Sequence, residues 1–524
     1  MQLMSENSRM VKAAGVVGAA TLLSRILGYI RDAAIAWFFG AGLSTDAFIA
    51  AFRIPNLFRR LFGEGSLSNV FVPVFTDYIT REGQSEAFNL ARSALWLLSA
   101  VLVVISLFGI LLSPLIVHII APGFSDTASK LPLTVTLTRI MFPYIFFICL
   151  VALCMGILNV LGHFAAPALA PVLLNLAMIG AVLFISPHLN RPVLGLAIGV
   201  VCGGVMQLGL QVPFLIRYGI KFWQKTTFFH PGLKKIGKML APVIIGGAAY
   251  QLNILVSTLL ASFLKEGSVS YLYFADRLVQ FPLGIFAVAT ATAVLPGLSR
   301  QAAVNDVKAL KSTFAYAIKL ILFITSPAMV GLIVLRKPII ALLFQRGEFG
   351  SDATVLTAHA LLYYAIGLWA FSAVRIVVAT FFALQDTRTP AQTAIISIIA
   401  NILFGIMLMR PLGHGGLALA TTLASVVNLG LLMRALRIKL GRLGWRNIAL
   451  SACRTLACSG IMGIAVWKIA VNLIPSGAQS VSALLMGLMA SIAGGLLTYG
   501  VVSYLIKSPE FISIVTEVKN SIRK

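Results

Sequence analysis

S-R-I-L-G-Y-I-R-D (Ser24–Asp32) lies inside an apolar run long enough to cross a membrane, yet it carries Arg25, Arg31 and Asp32. A guanidinium near the bilayer centre costs at least ~2.5–3.5 kcal/mol on insertion scales, so a chain that keeps several there must give them a wet cavity or an anionic partner. D-R-L (Asp276–Leu278) repeats the pattern in a later apolar run. These stretches predict a membrane protein with a cationic interior site.

Composition points the same way. The 524 residues are 59% hydrophobic and 11% charged, with a mean hydropathy of +0.96, outside the range of soluble globular proteins. The net charge of +25 does not imply nucleic acid, because the Lys and Arg are scattered between apolar runs rather than clustered on a solvated face. The polar start, Met1 to Ala14, and the charges in the run after it read as a retained first span rather than a cleaved signal. Cys149, Cys154, Cys202, Cys453 and Cys458 all lie in apolar segments without the spacing of a zinc site, and no G-x-x-x-x-G-K-[ST] loop occurs. The sequence thus implies no cofactor, no metal and no nucleotide hydrolysis.

A helix crossing ~30 Å of hydrocarbon needs about 20 residues. Dividing the chain at its polar breaks gives about fourteen spans, near 11–39, 44–63, 88–118, 132–160, 165–186, 192–217, 239–263, 267–298, 313–335, 353–384, 389–409, 414–436, 448–473 and 480–506. With the N-terminus in the cytoplasm, cytoplasmic segments hold about 23 Lys and Arg against about 8 outside, which places both termini in the cytoplasm. Two basic connections, around Arg217–Lys238 and Arg434–Arg446, interleave their charges with Phe222, Trp223, Phe228, Phe229, Leu440, Leu443 and Trp445. That mixture suits helices lying in the headgroup layer of an anionic leaflet.

Sliding the chain against itself by a little over 220 residues aligns S-T-D-A-F-I-A-A-F-R (Ser44–Arg53) with S-V-S-Y-L-Y-F-A-D-R (Ser268–Arg277). The same shift pairs F-V-P-V-F around Pro73 with V-L-P-G-L around Pro296, and Gly195–Leu210 with Gly416–Leu431. The expected fold is therefore an all-α polytopic membrane protein, two six-helix lobes related by a parallel repeat plus a C-terminal helix pair. Its expected divisions are an N-terminal lobe at 1–220, an amphipathic cytoplasmic linker at 221–238 and a C-terminal lobe at 239–436. A second amphipathic linker at 437–447, appended helices at 448–506 and a cytoplasmic tail at 507–524 complete it. Such folds place a site between lobes near the midplane and work by alternating access.

The intramembrane charges are the candidate site. Asp46, Arg53 and Arg60 are spaced by seven residues and so share one helix face, with Pro55 and Asn56 offering a local break. Arg25 and Asp32 are likewise seven apart, Arg31 points about a third of a turn away, and Gly28 could admit a bend, which makes Gly28 and Pro55 candidate hinges. Asp276 and Arg277 sit in the eighth span and Arg375 in the tenth. Bland readings stand beside these. Arg59 and Arg60 could snorkel, with Glu64 pairing with Arg60, and Asp32 and Asp46 could simply neutralise neighbouring arginines. Arg139 and Lys319 read as end-of-helix residues, and His163 and His414 as interfacial anchors. The excess of guanidinium over carboxylate favours an anionic ligand, and the planar bidentate fork of arginine suits phosphate or pyrophosphate.

S-R-I-L-G-Y-I-R-D, D-A-F-I-A-A-F-R-I-P-N-L-F-R-R-L-F-G-E-G (Asp46–Gly65), F-V-P-V-F, A-P-G-F (Ala121–Phe124) and Y-F-A-D-R-L (Tyr273–Leu278) resemble the MurJ (MviN) family. That family comprises lipid II flippases within the multidrug/oligosaccharidyl-lipid/polysaccharide exporter superfamily. The resemblance runs from about residue 11 to the C-terminus. It implies a fourteen-helix protein of the bacterial inner membrane whose substrate is undecaprenyl-pyrophosphate-linked disaccharide pentapeptide, carried to the periplasmic leaflet, with no covalent bond changed. It assigns essential cavity roles to Arg25, Arg31, Arg59 and Arg277, accompanied by Asp32, Asp46 and Glu64, and associates Ser270 and Arg375 with the cavity. The appended helices would hold the polyprenyl tail, and periplasmic peptidoglycan glycosyltransferases are the implied partners besides membrane lipids. The chain departs from some relatives in having Gln280 shortly after the D-R pair, where they carry a carboxylate. The other readings are a flippase for a different polyprenyl-pyrophosphate-linked oligosaccharide and a non-transporting membrane scaffold.

Overall fold

A computed structural model of the chain describes residues 2–127, 129–222, 224, 229–474 and 480–522. They form α-helices joined by short turns, with no strand among the described residues. Packing divides the chain into two units, Met1–Gly267 and Ser268–Lys524.

The first unit runs through α1 (Gln2–Phe39), α2 (Leu43–Phe58), a π-helical segment (Arg59–Ser66), α3 (Leu67–Arg81), α4 (Gln84–Leu111), α5 (Ser113–Ile120) and α6 (Lys130–Met141). It continues with α7 (Tyr144–Val160), α8 (Ala165–Gly180), α9 (Val193–Arg217) and α10 (Pro231–Ser262). The start of α10 is set locally, since the His230 ring accepts a hydrogen bond from the Gly232 N–H and Pro231 occupies the first helical position. Residues 231–238, expected in an interfacial linker, are therefore the first turns of α10. That helix packs on α3 and on the π-helical segment, so its contacts belong to the first unit, whereas the sequence reading opened the second lobe with it.

The second unit comprises α11 (Ser268–Pro282), a π-helical turn (Leu283–Ala287), α12 (Val288–Ala303), α13 (Val307–Phe344), α14 (Ser351–Ile366), α15 (Leu368–Ala383), α16 (Arg388–Leu412) and α17 (His414–Leu440). After these come α18 (Trp445–Leu473), α19 (Val481–Leu505) and α20 (Pro509–Ile522). The expected 437–447 linker is no separate helix. α17 continues to Leu440, and Gly441 and Gly444, both at positive φ, turn the chain within a few residues into α18. α18 and α19 pack on α13 around Phe323, Cys458, Met462 and Val466, and the Tyr499 hydroxyl donates to the Phe323 carbonyl.

Helices of the two units start 221 to 224 residues apart, pairing Gln84 with Val307, Lys130 with Ser351, Tyr144 with Leu368, Ala165 with Arg388 and Val193 with His414. The π-helical segments obey the same spacing, Arg59 with Leu283. The repeated G-L-A motif has a packing cause. A Cβ on Gly195 would stand 2.4 Å from Ser186 Oγ, and one on Gly416 would stand 2.1 Å from the Leu408 carbonyl oxygen. Only glycine lets α9 and α17 approach the preceding segment this closely, the small-residue packing common between membrane helices.

Ten helices among the described residues are long and apolar enough to cross a membrane, or eleven if α14 and α15, bent by 42° at Gly367, are one crossing. The chain is an all-helical, multi-pass membrane protein. Three of the fourteen expected spans fall outside this set. Two are the first pair, which hold the intramembrane charges, and the third is 239–263, of which Gln251–Ser262 is a shorter apolar helix.

Candidate functional site

Five of the candidate arginines lie on α1, α2 and the π-helical segment of the first unit, in environments that run from buried to exposed. Arg31 is buried and held from both sides. Its Nε and Nη2 donate to Asp32 Oδ1 at 3.0 and 2.7 Å, and its Nη1 donates to Asn175 Oδ1 on α8 at 3.0 Å. Asn175 in turn donates to the Ser24 carbonyl at 3.0 Å, which ties α8 to the backbone next to Arg25. Asp32 is 2% exposed, and the Arg31 guanidinium supplies a countercharge to its buried carboxylate. The acid is thus partnered by its neighbour Arg31, and the seven-residue spacing from Arg25 does not produce a pair. Arg25 is exposed and makes no hydrogen bond or ion pair among the described residues. α1 is continuous through Gly28, where an added Cβ would make only an ordinary 3.8 Å contact with Asn175.

Asp46 departs most from the sequence reading. It is fully buried and accepts hydrogen bonds from Lys130 Nζ and from the Gly267 N–H, both at 2.8 Å. Lys130 is itself buried, with its ammonium 4.2 Å from the centre of the Phe124 ring. Asp46 is therefore part of a buried anchor joining α2, α6 and the last residue of the unit, and is not an open member of a stripe with Arg53 and Arg60. The neighbouring Glu266 carboxylate reinforces this anchor by accepting the Leu43 N–H at 2.8 Å.

Beyond Asp46 the polar residues of α2 are half-buried: Arg53, Asn56, Arg59 and Arg60. The helix stays α-helical at Pro55 and loosens only after Phe58, where the π-helical segment begins with Arg59 and Arg60. A π-helical turn adds a residue to the winding and often marks a functional position. Asn56 reaches into this junction and accepts from Arg59 Nε at 3.0 Å. The side chain of Glu64 lies outside the described residues.

In the second unit Arg277 is shaped by its own helix. Its Nη2 donates to the Tyr273 hydroxyl at 2.9 Å, and its Cζ lies 5.0 Å from the centre of that ring, so one i, i+4 neighbour supplies both an acceptor and a π face. Asp276 accepts from Gln280 at 3.4 Å. Ser270 is fully buried. Arg375 is exposed on α15, and no hydrogen bond or ion pair joins it to Arg277 among the described residues.

Sequence reading missed three supporting residues. Tyr273 was open to discovery through its i, i+4 spacing to Arg277. Asn175 and Lys130 lie 144 and 84 positions from their partners, and their only local signal is a polar residue within or beside an apolar run. No group of three or more metal-ligating side chains occurs among the described residues. The arrangement can attract and orient an anion. It presents more guanidinium than carboxylate, with Asp32 and Asp46 already committed, and arginine forks match phosphate oxygens.

A family profile described as Lipid II flippase MurJ matches residues 35–487. The probable lipid II flippase MurJ of Vibrio cholerae is 37% identical over 471 residues, covering 88% of this chain and 90% of that protein. The lipid II flippase MurJ of Burkholderia cenocepacia is 37% identical over 425 residues, covering 80% and 82%. A solved lipid II flippase MurJ in an inward closed conformation superposes with a TM-score of 0.78 at 27% identity, covering 94% of this chain and 99% of that one. An inward-facing multidrug resistance MATE family transporter of the MOP superfamily shares the fold at a TM-score of 0.67 and 17% identity, covering 80% and 95%.

Proposed function

Because the chain belongs to the lipid II flippase MurJ family, we propose that it carries lipid II from the cytoplasmic to the periplasmic leaflet of the bacterial inner membrane, for cell wall synthesis. The observation that carries this reading is the surplus of arginine on α1, α2 and the π-helical segment. Two of the acids there are internally neutralised, so an incoming pyrophosphate meets net positive charge. In this reading Arg25 makes first contact with the phosphates, since its guanidinium is exposed and has no competing acid among the described residues. Arg31 contributes a fixed positive group whose position is set by Asp32 and Asn175. Arg59, at the start of the π-helical segment, completes the first unit's set, with Arg53 and Arg60 supplying further positive potential, and in the second unit Arg277, braced by Tyr273, and Arg375 are the candidate contacts.

The protein acts as a transporter and breaks no bond of its substrate. Alternating access moves the headgroup, with Gly28 and the Pro55 region as hinges, while the polyprenyl tail stays in the membrane along the exposed apolar faces of α18 and α19, which include Ile464, Leu496 and Leu497. Both termini face the cytoplasm, and glycosyltransferases that consume lipid II receive the product. Outward movement of the anionic headgroup is favoured by an inside-negative potential, worth ~2.3 kcal/mol per charge per 100 mV. The deciding assay is leaflet-resolved movement of labelled lipid II in proteoliposomes, wild type against Arg25→Ala, with a labelled ordinary phospholipid as control. Selective movement of lipid II that Arg25→Ala abolishes is the expected result. Equal movement of both lipids, or of neither under an imposed potential, would overturn the assignment.

A further inference from the structure

At the junction of α17 and α18 a concavity of about 540 Å³ is lined by Arg437, Arg442, Gly444, Trp445, Arg446 and Asn447. This lies within the ~300–1,000 Å³ range of small-ligand sites. All three arginines are exposed, and none makes a hydrogen bond or ion pair among the described residues. A fourth cation stands close by, because Lys311 Nζ lies 3.7 Å from where a Cβ on Gly441 would be. Asp386, the acid that pairs with Lys439 of α17, is already occupied by that ammonium and by the Thr389 N–H and hydroxyl. The concavity therefore concentrates positive charge that the described protein does not neutralise.

The backbone adds to this. Gly444 is the N-cap of α18 in a left-handed conformation and supplies no capping side chain. Asn447 N–H and Ile448 N–H turn back to the Gly444 carbonyl, which leaves the amides of Trp445 and Arg446 at the positive end of a 29-residue helix facing the arginine-lined space. Uncapped helix amides and unpaired guanidiniums together describe a phosphate site. Two features select a lipid over a free anion. Trp445 is 42% exposed, a residue suited to the membrane–water interface, and the face of α18 that continues from Arg446 exposes Leu450 and Ile461, a surface for acyl chains.

We propose that this concavity is a binding site for the phosphate of an anionic phospholipid headgroup, with Arg437, Arg442 and Arg446 as its ligands and Trp445 at the glycerol level. Occupancy of this site, which uses none of the arginines assigned to lipid II, would hold the α17–α18 junction against one leaflet.

Native mass spectrometry of the full chain in detergent tests this, with phosphatidylglycerol, phosphatidylcholine and inorganic phosphate as separate probes. Arg437→Gln, Arg442→Gln and Arg446→Gln are combined in one variant, and Arg300→Gln, Lys308→Gln and Arg388→Gln in a charge-matched control. The first phosphatidylglycerol bound should weaken about tenfold or more in the junction variant and stay within about twofold in the control, with phosphatidylcholine unaffected in both. Equal weakening in both variants would reduce the effect to net charge and overturn the site. So would unchanged binding in the junction variant. Displacement of the lipid by inorganic phosphate at equal concentration would show a free-anion site and overturn the lipid assignment. All substituted side chains are surface-exposed, and a thermal melt matching wild type confirms that both variants are folded.

Discussion

Replacing Lys130 by Met should cost the first unit about 3–5 kcal/mol, and the reasoning starts from burial. The Lys130 and Asp46 side chains are 5% and 1% exposed, with Nζ and Oδ2 2.8 Å apart. At an effective dielectric constant of 20 their attraction is about 6 kcal/mol, which offsets a desolvation cost of several kcal/mol per ion and leaves the pair itself worth little. Removing one partner is different. Asp46 would stay buried without its lysine countercharge, and breaking a buried ion pair by removing one partner costs about 3–5 kcal/mol. Loss of the Lys130 contact with Phe124 adds to this by ~0.5–2 kcal/mol. If the first unit melts as one body, its midpoint should fall by roughly 6–10 °C. The assay is a thermal melt in detergent of Lys130→Met, Asp46→Asn and the double variant. The double variant should recover about half of the loss, since an amide keeps an acceptor for the Gly267 N–H without a charge. A Lys130→Met protein melting within about a degree of wild type, or a double variant as damaged as the two singles summed, would refute a coupled buried pair.

Three further outcomes follow from the same geometry. Arg31→Ala should lower the melting point as well as transport, because it breaks a buried ion pair with the 2%-exposed Asp32, whereas Arg25→Ala should lower transport alone; equal melts for both variants would contradict this. Gly416→Val should leave little folded protein, since its Cβ would sit 2.1 Å from the Leu408 carbonyl oxygen, whereas Gly430→Ala, with open space around it, should express normally; detergent-soluble yield reads both. Glu510 ties α20 to α18. Burial works to raise its pKa, but hydrogen bonds from Ser451 and Ser508 and the charge of Lys319 outweigh it and hold the carboxyl below its ordinary value. Its contribution is then present above the ordinary carboxylate pKa of ~4.3 and lost as pH falls through the lowered one. Hydrogen exchange in α20, corrected for intrinsic rates, should therefore rise below about pH 4 and be insensitive to pH in Glu510→Gln.

The legible part of this protein is what local chemistry writes. Apolar runs of membrane length located the ten long apolar helices and the bent α14–α15 pair but not the shorter α3 and α20, and the repeat was visible because G-L-A recurs where α9 and α17 each need a glycine for close approach. The arginines were legible because a charge in an apolar run is costly wherever it lies. Their partners were not. Periodicity put Asp46 on one face with Arg53 and Arg60, but the face of a helix does not reveal what the other helices bring to it, and α6 brings Lys130. Asp32 was spaced to suit Arg25, yet adjacent Arg31 folds back onto it because Asn175 fixes the far side of the guanidinium. The breaks were displaced for a related reason. Pro55 and Gly28 are the residues that permit a bend, but the winding changes at Arg59, where Asn56 engages the first side chain of the π-helical segment.

The contrast between Arg31 and Arg25 also bears on how such a site could release what it binds. A carrier needs an anion to enter readily and to leave on the far side, so binding must be favourable without being deep. Five first-unit guanidiniums with no internal acids would hold a pyrophosphate through charge-assisted forks, and departure would strip all of them at once. Here Asp32 opposes Arg31 at 2.7 Å, so part of the cationic field is cancelled before the substrate arrives and returns to that cancelled state when it leaves. Release then leaves Arg31 paired rather than bare, which lowers the cost of the empty state relative to the loaded one. The family profile begins at residue 35, after both arginines, so this division of labour is carried by the packing of α1 against α8 rather than by the match itself. Asp32→Asn tests the argument directly. With Arg31 no longer neutralised, lipid II should bind more tightly and be released more slowly, and faster turnover in that variant would contradict it.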